Sequence, residues 1–303
     1  MPIVLNQNRI IEDKVGRSYE IGGCIQLVPD ENPVRIHSVV NADDKVFVEA
    51  LDIYPGRHYI RKMSEKTSAA AIFPQMLWPD RLAQDSSGFI AQNPNIEGQL
   101  RSLNQIILER KLKKEISRKE GQYYLSLGIQ LAEIIQTVHN CGYLIGKLHP
   151  DKFQVSEDGH LYSCLSYRFS FKNTDILRNP CYVAPEWLNH AGEKEIICDQ
   201  SSDAFLYALI LFGLLTGRHP FSFDRDCEED DREELWERMC DGKSLYFWEN
   251  PVMIRTLKEV FENTAPDADT LFRRTFDYCG YETYGEDRPS VVEWLKCLKG
   301  TAM

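Results

Sequence analysis

The hydrophobic period changes once along this chain, and that change limits the folds open to it. In the first third, Val, Ile and Phe gather in short runs at 23–28, 34–40 and 45–54. Turn formers separate them, Pro29-Asp30-Glu31-Asn32-Pro33 and Asn41-Ala42-Asp43-Asp44, so the pattern predicts an antiparallel meander. From residue 121 onward the period becomes helical: Tyr124, Leu127, Leu131, Ile134, Ile135 and Val138 share one face, and Gly142 offers a stop. Further helices are predicted over 201–216, 233–240, 252–263, 267–276 and 290–299, with a weak helix over 59–71 and short strands and turns over 73–94. A small strand lobe followed by a larger helical lobe is an α+β, two-lobe architecture. The expected organisation is an N-terminal extension over 1–16, a first lobe over 17–120 and a second over 121–303.

With 303 residues, 43% of them apolar, each lobe can bury a core. A net charge of -11 argues against nucleic acid or an anionic membrane as a partner. Six of the ten residues in 110–119 are basic, and the run reads as the solvated start of a helix. The nine cysteines form no C-x-x-C pair, so neither a zinc site nor a redox dithiol is expected. Reduced thiols and a cytoplasmic location fit that usage. Residues 1–16 lack the order of a secretion signal. The apolar stretch 204–215 is a dozen residues, short of the roughly 20 that cross a bilayer. No metal and no cofactor are expected.

Residues 142–155 read Gly-Tyr-Leu-Ile-Gly-Lys-Leu-His-Pro-Asp-Lys-Phe-Gln-Val. This resembles the catalytic loop of eukaryotic-like protein kinases, and other fragments follow in that family's order. Asp158-Gly159-His160-Leu161-Tyr162 is similar to the hairpin before the magnesium motif. Cys181-Tyr182-Val183-Ala184-Pro185-Glu186 is similar to the end of the activation segment. Asp203 with its apolar helix, the segment 215–221, Leu271-Phe272-Arg273-Arg274 and Asp287-Arg288-Pro289 resemble the later helices. Trp78-Pro79 together with Gly142–Gly146 resembles a bacterial branch that writes Gly-Asp before the loop. The resemblance is specific over 121–300 and loose before it.

Phosphoryl transfer on such a fold needs a glycine-rich loop, a lysine on the third strand, an Asp and an Asn in the catalytic loop and a magnesium-binding Asp. The resemblance puts Lys147 and Lys152 at the Asp and Asn positions and Leu165 at the magnesium Asp. An ammonium accepts no proton and binds no cation, and leucine binds no magnesium. The loop equivalent to the glycine loop holds Asp30 and Glu31 between two prolines. The third-strand lysine is replaced by Glu49 or Asp52, and a carboxylate about 4 Å from a phosphate charge costs around 4 kcal/mol at an effective dielectric near 20. ATP binding is therefore doubtful.

Scaffold positions are kept: Glu186 and Arg288 match a buried ion pair of the family, and Asp203 matches the carboxylate that accepts amides of the catalytic loop. A helix N-cap, which Ser201 or Ser202 could equally supply, is the plainer reading of Asp203. The run 224–234 holds eight carboxylates in eleven residues; it reads as a solvated loop or, through Asp230, Asp231, Glu233 and Glu234, as a docking site for a basic partner. The sequence thus implies a bacterial, serine/threonine-kinase-like signalling pseudokinase that binds a protein partner as a scaffold or allosteric regulator. Two alternatives stand beside it: a divergent active kinase or other nucleotide-dependent transferase, and a sensor holding an anionic metabolite through Lys147 and Lys152.

Overall fold

A computed structural model describes residues 9–28, 34–49, 75–96, 98–111, 116–146, 148–164, 172–173, 182–188, 196–222, 232–244, 258–262, 265–276 and 288–301. The chain divides into two compact units, one of Met1–Arg101 with Asp151–Phe169 and the other of Ser102–Pro150 with Ser170–Met303.

The first unit is built on six antiparallel strands: β1 (Arg9–Glu12), β2 (Ser18–Val28), β3 (Val34–Val39), β4 (Lys45–Glu49), β5 (Arg81–Leu82) and β6 (Gly88–Gln92). Their order is β1-β2-β3-β4-β6-β5. The meander expected from the period-2 runs is present, with one addition. Arg9–Glu12, assigned to the extension by sequence, is a strand paired with β2 from Arg9↔Ile21 to Glu12↔Ser18. The sheet curls until the residue after β1 meets the residue after β5, in the bridge Asp13↔Ala83 and the 2.8 Å bond from Gln84 N to Glu12 O. Closure gives the sheet two buried faces. Ile11, Ile21, Val39, Phe47, Ala83 and Ile90 pack on the inside. Val28, Val34, Ile36, Val46, Val48, Phe89 and Ala91 pack on the outside.

After a two-residue strand β7 (Arg101–Ser102), a hairpin of β8 (Phe153–Val155) and β9 (Leu161–Ser163) covers that outer face. The hairpin is tied down by backbone bonds from Leu77 N to Ser163 O and from Ser163 N to Gln75 O, both 3.1 Å. Tyr162 and Cys164 then join the apolar cluster on the sheet. Gly159 turns the hairpin at φ 85°, a conformation a side chain resists.

The second unit is helical: α1 (Leu103–Lys111), α2 (Arg118–Asn140), α3 (Pro185–Leu188), α4 (Gln200–Thr216), α5 (Arg232–Cys240), α6 (Ala268–Phe276) and α7 (Val291–Thr301), with two-residue strands β10 (Lys172–Asn173) and β11 (Ile196–Ile197). Ser117 and Glu120 form a capping box at the start of α2. Gly217, at φ 70°, ends α4. Residues 202–215 of α4 are buried all round, as its unbroken apolar sequence requires. Phe212 meets Phe261, Phe272 and Phe276, and Trp294 lies 4.7 Å from Phe272 between ring centroids. Gly128 lets α2 approach Leu211, and Tyr207 donates to the Gly128 carbonyl at 3.1 Å.

Helix α1 was missed by the sequence reading, and with it the place of Arg110. That arginine opens the basic run read as solvated, yet it is 2% exposed. It donates to Leu215 O through Nε and Nη2 at 3.3 and 3.0 Å, and its guanidinium stands 5.9 Å from the Tyr124 ring centroid. A carbonyl at the end of α4 carries partial negative charge, so it accepts a buried cation well. Among the described residues, no helix is long and apolar enough to cross a membrane.

Candidate functional site

In the second unit the catalytic-loop-like segment hangs from one carboxylate. Asp203, fully buried, accepts Ile145 N on Oδ2 and Gly146 N on Oδ1, each at 2.9 Å. His139, at the end of α2, places Nε2 2.9 Å from the same Oδ2. Sequence reasoning did not single out His139; its place in the last turn of an amphipathic helix resembles any core histidine. The helix cap that could have explained Asp203 falls to another residue: Asp199 caps α4 in a box with Ser202. Two backbone amides and an imidazole therefore fix the backbone immediately before residue 147, whatever side chain that residue carries.

A second anchor holds α3. Arg288 pairs with Glu186 in a two-pronged contact, Nη1 to Oε1 and Nη2 to Oε2, both 3.1 Å. Nη1 also donates to Ser201 O at 2.9 Å and Ser201 Oγ at 3.1 Å. The guanidinium also lies 4.9 Å from the Phe205 ring centroid. Beside this anchor, Tyr182 meets His149 edge-on at 4.7 Å.

In the first unit, Lys152 closes a 3-10 turn (Pro150–Lys152) and is half-buried. Gln154 follows on β8, fully buried, with Nε2 bonded to Asp151 O at 3.3 Å. Glu49 ends β4. Counting from β2, β4 is the third strand, but Glu49 and Phe47 face the inside of the curled sheet, away from Tyr162 and Cys164. Glu49 there bonds Arg9 at 3.1 Å and Arg35 at 3.4 Å, with His37 Nε2 also 3.4 Å away. It is the hub of an ion cluster tying β1, β3 and β4. Asp30, Glu31, Asp52, Lys147, Leu165, Asp230 and Asp231 lie outside the described residues, as do the side chain of Glu233 and the helix read over 59–71. Glu234 is exposed on α5 and pairs with Arg238 one turn on.

The outer face of β4 is apolar and closed. Val28, Val34, Ile36, Val46, Val48, Ala91 and Cys164 have no accessible surface, and Tyr162 is nearly as buried. Burial pushes the Cys164 thiol up to about 12, so it stays protonated. Among the described residues, no group of His, Cys, Asp and Glu is arranged to hold a metal ion.

A solved structure titled "Crystal structure of Toxoplasma gondii specific rhoptry antigen kinase domain" superposes on this chain with a TM-score of 0.51, at 12% identity, over 84% of this chain and 87% of that one. This chain has a protein-kinase-like fold. The two-lobe α+β class expected from the hydrophobic periods is thereby established. By sequence, the kinase-like chain is 22% identical over 201 residues to "Rho-associated protein kinase let-502" of Caenorhabditis briggsae. That match takes in 60% of this chain and 16% of the relative's length. No family model matches the sequence.

Proposed function

We propose that this kinase-like chain is a pseudokinase, a protein that keeps the fold's scaffold, transfers no phosphate and works by binding a protein partner as a scaffold or allosteric regulator. The observation that carries this reading is the closed core between the sheet and the β8–β9 hairpin. In kinase-type chemistry the nucleotide lies beside the segment that leads to the magnesium motif, and in this chain the resemblance makes that segment the β8–β9 hairpin, which packs on the outer face of the sheet. A small-molecule site needs a hollow of about 300 Å³ or more. Here Val46, Val48, Ala91 and Cys164 meet on that face without exposed surface. Admitting a base would mean opening that core, at about 25 cal/mol for each Å² of apolar surface returned to water.

Two further facts point the same way. Lys147, Lys152 and Leu165 stand at the positions where the resemblance expects an Asp, an Asn and a magnesium-binding Asp. The anchors at Asp203 and at Glu186–Arg288 are intact, so the loop is held although its reactive groups are replaced. The test is a phosphotransfer assay with labelled ATP on the full chain and on the triple variant Lys147→Asp, Lys152→Asn, Leu165→Asp. Both should remain inactive, because restoring polar groups does not reopen the apolar core. Labelling of any substrate by the wild-type chain would reject the pseudokinase reading.

A further inference from the structure

The hairpin of β8 and β9 closes the outer face of the sheet, yet it is joined to that sheet lightly. Each of its strands has three residues, and β7, which lies beside β8, has two. The chain comes to the hairpin from the second unit at Pro150 and rejoins the second unit at Ser170, so no short connection ties it to the strands it covers. Both backbone bonds that tie it down, from Leu77 N and to Gln75 O, fall on the single residue Ser163. Its apolar face is also interrupted. Gln154 stands opposite Tyr162 in the hairpin register, on the side that Tyr162 and Cys164 turn to the valines of the sheet. It has no accessible surface. Its Nε2 donates to Asp151 O at 3.3 Å, a bond inside the base of the hairpin, and its Oε1 accepts no hydrogen bond among the described residues. On the other side of the hairpin, Ser163 Oγ is as deeply buried and has no partner there either. Buried polar groups nearly always find partners. Here two on one short hairpin do not, and both would regain water if it lifted.

We propose that the β8–β9 hairpin is a detachable cover, which lifts off the outer face as a unit while the sheet stays folded, and that Gln154 sets how often it does so. Tyr162 and Cys164 favour the seated state by entering the apolar cluster. The buried Gln154 carbonyl opposes it. The amide bond of Gln154 travels with the hairpin and does not resist its departure. A buried acceptor left unpaired costs enough to make the lifted state about 5- to 150-fold more populated than it would be with an apolar side chain of the same size. Lifting removes one wall of the core and uncovers Val34, Ile36, Val46 and Val48 on the other. It leaves an open surface, not a walled pocket, so the device stands whether or not the chain transfers phosphate.

The test is native-state hydrogen exchange on the full chain over a series of sub-denaturing urea concentrations. The amides of Ser163 and Leu77 bond across the join between hairpin and sheet. They should show equal protection, lower than that of the β3–β4 ladder and less sensitive to urea, because lifting exposes less surface than unfolding. Gln154→Met and Gln154→Leu should each slow exchange at Ser163 and Leu77 by about 5- to 150-fold. Two variants are used so that one poor fit to the site does not decide the result. Protection at Ser163 and Leu77 equal to that of the β3–β4 ladder in the wild type, or exchange that neither apolar variant slows, overturns the proposal.

Discussion

Replacing Glu186 by Gln tests whether the second anchor holds the helical unit together. The substitution keeps the side-chain size and removes the charge from a two-pronged pair whose partner, Arg288, is 9% exposed at its side chain. Breaking a fully buried pair by one partner costs about 3–5 kcal/mol. Glu186 itself is 21% exposed, and Arg288 keeps Ser201 O, Ser201 Oγ and the Phe205 ring. Those residual partners lower the expected loss to about 2–3 kcal/mol. Arg288→Met should cost more, since it removes the cation from Glu186, from both Ser201 oxygens and from Phe205. In a double-mutant cycle the two losses should fall short of additivity by about 1–2 kcal/mol. Urea unfolding followed by tryptophan fluorescence in a Trp78→Phe background reads the unit, because Trp187 and Trp294 are buried in it while Trp78 is buried in the first unit. A loss below about 0.5 kcal/mol for Glu186→Gln, the level of an ordinary surface change, would refute the reasoning.

Gly88→Ala should destabilise the first unit by several kcal/mol, because a Cβ there would sit 2.3 Å from Val48 O and 2.4 Å from Phe47 Cζ, and backbone cannot step aside as a flexible side chain can; a melting temperature equal to wild type would contradict the close approach of β4 and β6. Cys164 should resist alkylation in the native chain and react once urea unfolds it. Its folded pKa of about 12 lies above the ordinary 9.0, so the folded state holds the proton more tightly; that stabilisation is complete below pH 9 and is lost as pH rises toward 12, at about 1.4 kcal/mol per unit. Cys164→Ala should therefore lose less stability than wild type between pH 9 and 11, and parallel pH curves for the two would refute the burial argument.

The sequence carried the architecture where period and chemistry agree. The 3.6-residue spacing in α2, the unbroken apolar run of α4 and the turn residues between β2, β3 and β4 each have a single reading. Asp203, Glu186 and Arg288 were legible through the family resemblance, which implied a role for each; from the residues alone Asp203 read as a helix N-cap. Other features depended on tertiary contact. Arg110 looked solvated within a basic run, since nothing local announces that the Leu215 carbonyl waits 105 positions later. The face that Glu49 takes was not legible, because Val46, Phe47 and Val48 are all buried; a sheet covered on both sides erases the alternation that would have given its parity. Strand β1 was hidden within the expected extension because it is four residues long and only Ile11 in it is buried. The closure of the outer face could not be read at all, because a run of valines suits an open apolar pocket and a filled core equally.

The central claim is that the space a nucleotide would occupy is filled by this chain's own apolar side chains. Thermal unfolding of the full chain, followed across an ATP titration with and without Mg2+, tests it most directly. A ligand at 100 times its dissociation constant adds about 2.7 kcal/mol of stability, a shift no modern melt would miss. The closed core predicts superimposable melts at every nucleotide concentration. A saturable, magnesium-dependent rise in the unfolding temperature would contradict it.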